Sequence, residues 1–129
     1  TKQYGVIDEI YSMCRGISKH VENKQYSDLV DIVGITPIIA PKYIIEQGLF
    51  KQEKKCDIKY GFASVSLWID YDEYLKADIT DKQIMIVKNI LASIKTISRK
   101  AKIDYKQFCE DIFQYCKLIN LPIESNLKV

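Results

Sequence analysis

The residues best suited to chemistry are carboxylates interleaved with aromatic rings around positions 68–78. Between Asp57 and Asp81 the chain carries six acidic and two basic side chains, a local charge of −4. Aromatic rings supply contact area and carboxylates steer a charged partner, so this composition favours a protein-binding surface. The residues predicted to form it are Trp68, Asp70, Tyr71, Asp72, Glu73, Tyr74 and Asp78.

Two other interpretations of these carboxylates remain open. A strand end and a solvated turn would expose them without a function, with Tyr71 and Tyr74 packed on the core. A small metal-dependent hydrolase could use Asp70, Asp72 or Glu73, because paired carboxylates can bind a metal or transfer protons. The glycine of a calcium loop is missing, and we expect no catalytic residue, no metal and no cofactor.

A basic segment follows the acidic one. Residues 82–106 hold seven basic side chains and a single acidic one, Asp104. On a helix, Lys88, Lys95, Arg99 and Lys102 would lie near one face, which could contact phosphates as a nucleic-acid-binding module. A solvated outer face explains the same pattern, because no aromatic residue between positions 82 and 104 offers a platform for base stacking.

The whole-chain composition limits the class of protein. The chain has 129 residues, 47% of them hydrophobic, and a net charge of +2, which suits one globular domain and argues against a polybasic nucleic-acid binder. We expect a single domain, 1–129, with a loose tail from 121 to 129. No apolar run approaches the ~18 residues of a membrane span.

The cysteines and the first residues bear on the cellular compartment. The four cysteines form no Cys-x-x-Cys pair, and His20 is the only histidine, so a zinc site is poorly supplied. Buried or half-buried thiols in a reducing compartment are the simpler interpretation. Thr1–Tyr4 has no signal-peptide core, and we therefore expect a cytoplasmic protein.

Two segments predict strands. Residues 28–40 are rich in β-branched side chains, which favours a strand. Because Pro37 and Pro41 cannot donate to a ladder, we expect this strand to lie at an edge or to end near Thr36. In residues 56–71, Val65, Leu67 and Ile69 alternate with polar positions. Ile58, Tyr60 and Phe62 have the opposite parity, so a bulge near Gly61 would bring both sets to the core. Residues 51–55 predict a solvated hairpin loop.

Three segments predict helices. An apolar stripe at three- and four-residue steps runs from Val6 to Val21. Two sequences typical of capping boxes, beginning at Thr80 and Asp104, predict helices over 81–100 and 105–119. The order helix, strands, helix, helix predicts an α+β fold: a small, mostly antiparallel sheet with an N-terminal helix and two C-terminal helices packed on it.

The sequence also resembles a known family. The run Val65–Asp78 ends a strand in an Ile-Asp-aromatic step, and a helix with Leu-Ala-Ser-Ile at 91–94 and the stretch Ile103–Ile112 follow. This looks like the small immunity proteins of bacterial polymorphic-toxin and contact-dependent growth inhibition systems. The apolar strand Ile35–Ile39 fits as well, and the resemblance covers roughly residues 30–113.

The resemblance implies a function without catalysis. Such a protein binds a cognate toxin C-terminal domain, often a nuclease, and blocks its active site or substrate groove. Direct binding of nucleic acid is then not expected. The acidic segment is compatible with this function, because a nuclease groove is basic and an acidic, aromatic-edged surface would complement it.

Overall fold

The computed structural model describes residues 2–41, 57–59 and 61–123, which contain four helices and three strands. The elements in chain order are α1 (Lys2–Val21), β1 (Ile32–Ala40), β2 (Asp57–Lys59), β3 (Phe62–Asp70), α2 (Tyr71–Lys76), α3 (Ile79–Ser98) and α4 (Tyr105–Leu118). The three long helices and the two long strands were predicted. The six-residue helix α2 was not predicted.

The sheet corrects the predicted fold class. Its order is β1-β3-β2, and β1 pairs with β3 in parallel along nine residues, from Ile32 opposite Phe62 to Ala40 opposite Asp70. Only the three-residue β2 is antiparallel to β3. The α+β class stands, but the prediction of a mostly antiparallel sheet is wrong.

The physical reason lies in the connections. A hairpin joins β2 to β3, whereas residues 41–56 separate β1 from β2. Parallel strands need a crossover of about a dozen residues or more, and this interval is long enough. The predicted hairpin loop over 51–55 lies outside the described residues.

The edge position predicted from Pro37 is confirmed for the described sheet. The backbone N–H of Ile32 donates to the carbonyl of Gly61 at 3.2 Å, so Ile32 directs its peptide groups toward β3. Along a strand, the peptide groups of successive residues point alternately to one side and the other. The peptide groups of Val33, Ile35 and Pro37 therefore point away from β3, and the missing N–H of Pro37 costs no hydrogen bond of the ladder.

Gly61 lies in a turn, so the predicted bulge is wrong. Its φ of +77° is a conformation that favours glycine, and its carbonyl also accepts from the N–H of Asp31 at 2.8 Å. From Phe62 onward β3 keeps one register with β1. Phe62 is consequently 41% exposed, on the face opposite Ala63 and Val65, which are buried.

Helix α3 covers the buried face of β3. Its apolar stripe is wide, with Ile86, Val87, Ile90, Leu91, Ile94 and Ile97 all buried. The hydroxyl of Ser93 donates to the carbonyl of Ser66 at 3.1 Å, beyond the point where β2 ends. This bond satisfies a strand carbonyl that β2 is too short to reach.

A buried carboxylate ties the segment between α1 and β1 to α4. Asp111 is 4% exposed and accepts from the hydroxyl of Tyr26 at 2.6 Å and from the amide of Gln107 at 3.1 Å. The ammonium of Lys24 lies 3.0 Å from it. Burial alone would raise the pKa of Asp111, but these three partners outweigh it and hold the pKa below its usual value of 3.8.

Helix α4 packs closely on α1. A Cβ atom at Gly16 would clash with the hydroxyl of Tyr115, so the glycine permits this approach. His20 lies against the same ring, with centroids 5.4 Å apart. Past the end of α4, Leu121 is buried and Ile123 packs on the core, and residues 124–129 of the predicted tail lie outside the described residues.

Candidate functional site

Five carboxylates lie at the end of β3 and at the starts of helices α2 and α3. We call this group the acidic end; it consists of Asp70, Asp72, Glu73, Asp78 and Asp81. All of these side chains are exposed except that of Asp70, which is half-buried. The structure places the four carboxylates predicted from sequence at the starts of two consecutive helices, and Asp81 lies in the first turn of the second.

Two of the carboxylates have a structural role as helix N-caps. The Oδ1 atom of Asp70 accepts from the N–H of Asp72 at 3.1 Å, and that of Asp78 accepts from the N–H of Asp81 at 2.8 Å. A carboxylate at this position also interacts favourably with the helix dipole. Helix α3 begins at Ile79, after Asp78, so the expected cap at Thr80 is wrong by two residues.

Tyr74 belongs to the core. Its side chain is 0% exposed, and its hydroxyl donates to the Oε2 atom of Glu9 in α1 at 2.7 Å. Lys82 lies 3.8 Å from the same oxygen, and its ammonium is 5.1 Å from the centre of the Tyr74 ring. Burial, followed by the hydrogen bond to Glu9, raises the pKa of Tyr74. Tyr74 therefore holds α2 in place and offers no surface to a partner.

The other two predicted aromatic residues border the acidic end. Trp68 is half-buried and has the same strand parity as Phe62, on the face of β3 that points away from the helices. Tyr71, the first residue of α2, is also half-buried. Both rings leave some area accessible beside the carboxylates.

Two exposed apolar side chains, which the sequence pattern did not predict, lie in the same two helices. Ile79 is 64% exposed in the first turn of α3, and Leu75 is 39% exposed in α2. Both had been assigned no role. The sequence did not show that α3 begins at Ile79. Because it does, this large apolar side chain lies in solvent within one turn of Asp78 and Asp81. The arrangement can bind a basic partner and bury apolar area at the same time.

A comparison with known families decides the identity. A family model described as Immunity protein 44 (Imm44) matches residues 1–117. The chain belongs to the Imm44 family. The match confirms the resemblance to immunity proteins of toxin systems, and membership implies a toxin as the protein partner. No curated protein and no solved structure matches the sequence.

The basic segment forms a second charged region of this Imm44 protein, at the far end of α3. Lys95, Arg99, Lys100, Lys102 and Lys106 are exposed there, and we call them the basic end. The nearby ring of Tyr105 is half-buried, and its hydroxyl donates to the carbonyl of Leu91 at 3.0 Å. Since that ring is anchored to α3, it supplies no free platform for a nucleic-acid base.

Groups suited to catalysis are dispersed in the described residues. No cluster of three or more histidine, cysteine, aspartate or glutamate side chains is placed there to hold a metal ion. His20 packs against Tyr115, and its Nε2 atom is buried with no hydrogen-bond partner.

The described cysteines are free thiols. Cys14 and Cys109 are half-buried and Cys116 is buried, as expected, while Cys56 lies outside the described residues. Burial raises the pKa of all three described thiols, that of Cys116 to about 11. These thiols therefore stay protonated and weakly nucleophilic near neutral pH. In the described part of the chain, no helix has the length and apolar content to cross a membrane.

Proposed function

We propose that this Imm44 protein neutralises a cognate nuclease toxin by binding the toxin's C-terminal domain and covering its substrate groove with the acidic end. It acts in the cytoplasm by occupying the groove and carries out no reaction. The toxin's class rests on complementarity of charge: a nuclease groove must hold phosphates, so it is lined with cations.

One observation carries the proposal. Asp72, Glu73 and Asp81 are exposed in the first turns of two consecutive helices, and Asp78, which caps the second helix, is exposed as well. The carboxylates therefore stand at the starts of helices instead of on a long loop. A rigid negative surface loses little conformational entropy on binding.

The neighbouring apolar side chains supply affinity that charge alone does not. Exposed charge pairs contribute little to stability in water, whereas burying apolar area contributes about 25 cal/mol per Å². Ile79 and Leu75 provide such area next to the carboxylates. We therefore expect the acidic residues chiefly to raise the rate of association with the toxin, and the apolar residues chiefly to lower the rate of dissociation.

The first test is neutralisation itself. The protein is co-expressed with the toxin domain encoded next to its gene, and growth and co-purification are measured. The proposal predicts full rescue and a stable complex for the wild type, with a weakened complex for the Asp72→Lys/Glu73→Lys variant. The matched control, Arg99→Glu/Lys102→Glu, reverses two exposed charges at the basic end and should rescue like the wild type. No rescue and no complex with the wild type would reject the proposed function.

A nuclease assay on the purified toxin domain tests the mode of inhibition. If the protein blocks the groove, it competes with the substrate, so excess nucleic acid should raise the concentration of immunity protein needed for half-maximal inhibition. Inhibition that is independent of substrate concentration would contradict a blocked groove.

A further inference from the structure

A second candidate surface lies where β1 begins, at the opposite end of the sheet from the acidic end. A partly open groove of about 380 Å³ separates α1, β1 and α3 there. It is lined mainly by apolar side chains, among them Cys14, Ile17, Val33, Ile35, Ile90 and Ile94. Val33 and Ile35 are half-buried although they face the helices, because the helix layer leaves this part of β1 incompletely covered.

The groove lies beside an open strand edge. As shown above, the peptide groups of Val33 and Ile35 point away from β3, and no described strand pairs with that side of β1. An edge of this kind presents unpaired N–H and C=O groups to an incoming chain. The same two residues therefore offer backbone hydrogen bonds along the edge and apolar side chains into the groove.

The charged residues at the rim of the groove indicate which kind of partner fits it. Glu22 and Asp31 line the groove and are exposed, while Lys24, the lysine that lines it, is bound to Asp111. The rim is therefore acidic on balance. A partner segment with a basic side chain would meet opposite charge, whereas a second copy of this chain would bring like-charged rims into one interface.

We propose that β1 and the groove bind an extended segment of the cognate toxin by strand addition. The segment is apolar at alternate positions, so that one face fills the groove, and it carries a basic residue opposite Glu22 and Asp31. The naming of the toxin as partner rests on the proposed function. The contact itself is separate from the acidic end, since Ile35, the last residue of β1 that lines the groove, is five residues or roughly 16 Å, at about 3.3 Å per residue, from Ala40, which pairs with Asp70.

Filling the groove tests its occupancy. Ser18 lines the groove from the exposed side of α1, so Ser18→Trp blocks it without disturbing a buried side chain. Lys19→Trp is the matched control, since Lys19 is exposed on the same helix but does not line the groove. We expect Ser18→Trp to weaken toxin binding at least about tenfold and Lys19→Trp to change it less than about twofold, at equal thermal midpoints. Full affinity for Ser18→Trp would overturn the inference.

A second pair of variants isolates the backbone contact. Ile35→Pro removes the outward N–H, which the strand should tolerate because Pro37 already occupies an equivalent position. Ile35→Ala removes the side chain but keeps the N–H. Strand addition predicts weaker toxin binding for Ile35→Pro than for Ile35→Ala, and equal binding would overturn it.

Hydrogen exchange distinguishes the occupants. Binding of the toxin domain should slow exchange at Val33 and Ile35, while Gly34, whose N–H points toward β3, changes little. If Val33 and Ile35 already exchange as slowly as Gly34 in the free monomer, a segment of this chain covers the edge and the inference fails. Dimerisation that Ile35→Pro abolishes would assign the edge to a second copy and would also overturn it.

The two proposals fail in different ways. Weakened binding by charge reversal at Asp72 and Glu73, together with full affinity for Ser18→Trp, would reject only the groove. The reverse pattern would reject the acidic end and retain strand addition. Absence of any complex with the toxin would reject both.

Discussion

The hydroxyl of Tyr74 donates a 2.7 Å hydrogen bond to the carboxylate of Glu9, which joins α2 to α1 across 65 residues of sequence. The ring of Tyr74 is fully buried, so this contact seats the short helix that carries Asp72 and Glu73. A six-residue helix is too short to be stable by itself. The position of the acidic end therefore depends on the anchoring of Tyr74.

Removal of this hydroxyl should cost measurable stability. We expect Tyr74→Phe to lower the free energy of unfolding by about 1 kcal/mol, because a hydrogen bond to a partly exposed carboxylate is lost while the ring stays packed. Tyr11→Phe, at an exposed position of α1, should change it by less than about 0.5 kcal/mol. Urea denaturation measures both, and equal losses would show that Tyr74 is not an anchor.

The buried carboxylate of Asp111 should make stability depend on acidic pH. Its pKa is lower in the folded protein, so its contribution is present above about pH 4 and disappears as the pH falls through the folded pKa. We expect Asp111→Asn to cost about 2 kcal/mol at neutral pH, with the gap to the wild type closing in acid. Asp28→Asn, an exposed residue of the same connecting segment, is the control. A gap that persists at low pH would contradict this account.

Tyrosine ionisation should report on alkaline unfolding. Burial, in two cases reinforced by a carboxylate acceptor, raises the pKa of four phenols, those of Tyr26, Tyr74, Tyr105 and Tyr115. A raised pKa in the folded state stabilises the protein below about pH 10, and this contribution is lost as the pH rises further. Ultraviolet absorbance of phenolate should therefore show these four ionising only as circular dichroism reports unfolding. Ionisation of all nine tyrosines in the intact fold would disprove this.

The contact between Gly16 and Tyr115 should make a normally favourable substitution unfavourable. Alanine in a helix is favoured over glycine by up to ~1 kcal/mol, but here its Cβ would displace the Tyr115 ring from its position against α1. We expect Gly16→Ala to destabilise the protein, and to do so less in a Tyr115→Phe background, where the clashing hydroxyl is gone. Thermal denaturation of the four proteins in this double-mutant cycle measures the coupling. A stabilised Gly16→Ala would show that the ring moves freely.

Local patterns accounted for much of the fold. The apolar stripes of α1, α3 and α4 depend on residue spacing within a single segment. The N-cap at Asp104 and the edge strand containing Pro37 each depend on the chemistry of one residue. Parallel pairing of β1 with β3 could not be predicted in this way. It depends on which distant strands meet, and the hairpin partner of β3, Asp57–Lys59, is only three residues long.

The same distinction holds for the site. The acidic residues were recognisable as a cluster because they are close in sequence. The sequence allowed Tyr74 either a partner surface or a place in the core, and contacts with Glu9 and Lys82 in other helices decide for the core. The exposure of Ile79 depends on where α3 begins, and two of the partners of Asp111, Lys24 and Tyr26, come from a segment more than 80 residues away.

The association rate with the toxin domain, measured by stopped flow at several salt concentrations, tests the central claim most directly. The account predicts that Asp72→Lys/Glu73→Lys slows association at least about tenfold at low salt, that the difference shrinks as salt rises, and that the thermal midpoint is unchanged. The basic-end control, Arg99→Glu/Lys102→Glu, should associate at the wild-type rate or faster. An unchanged rate for the acidic-end variant, with slowed association for the basic-end control, would contradict the account.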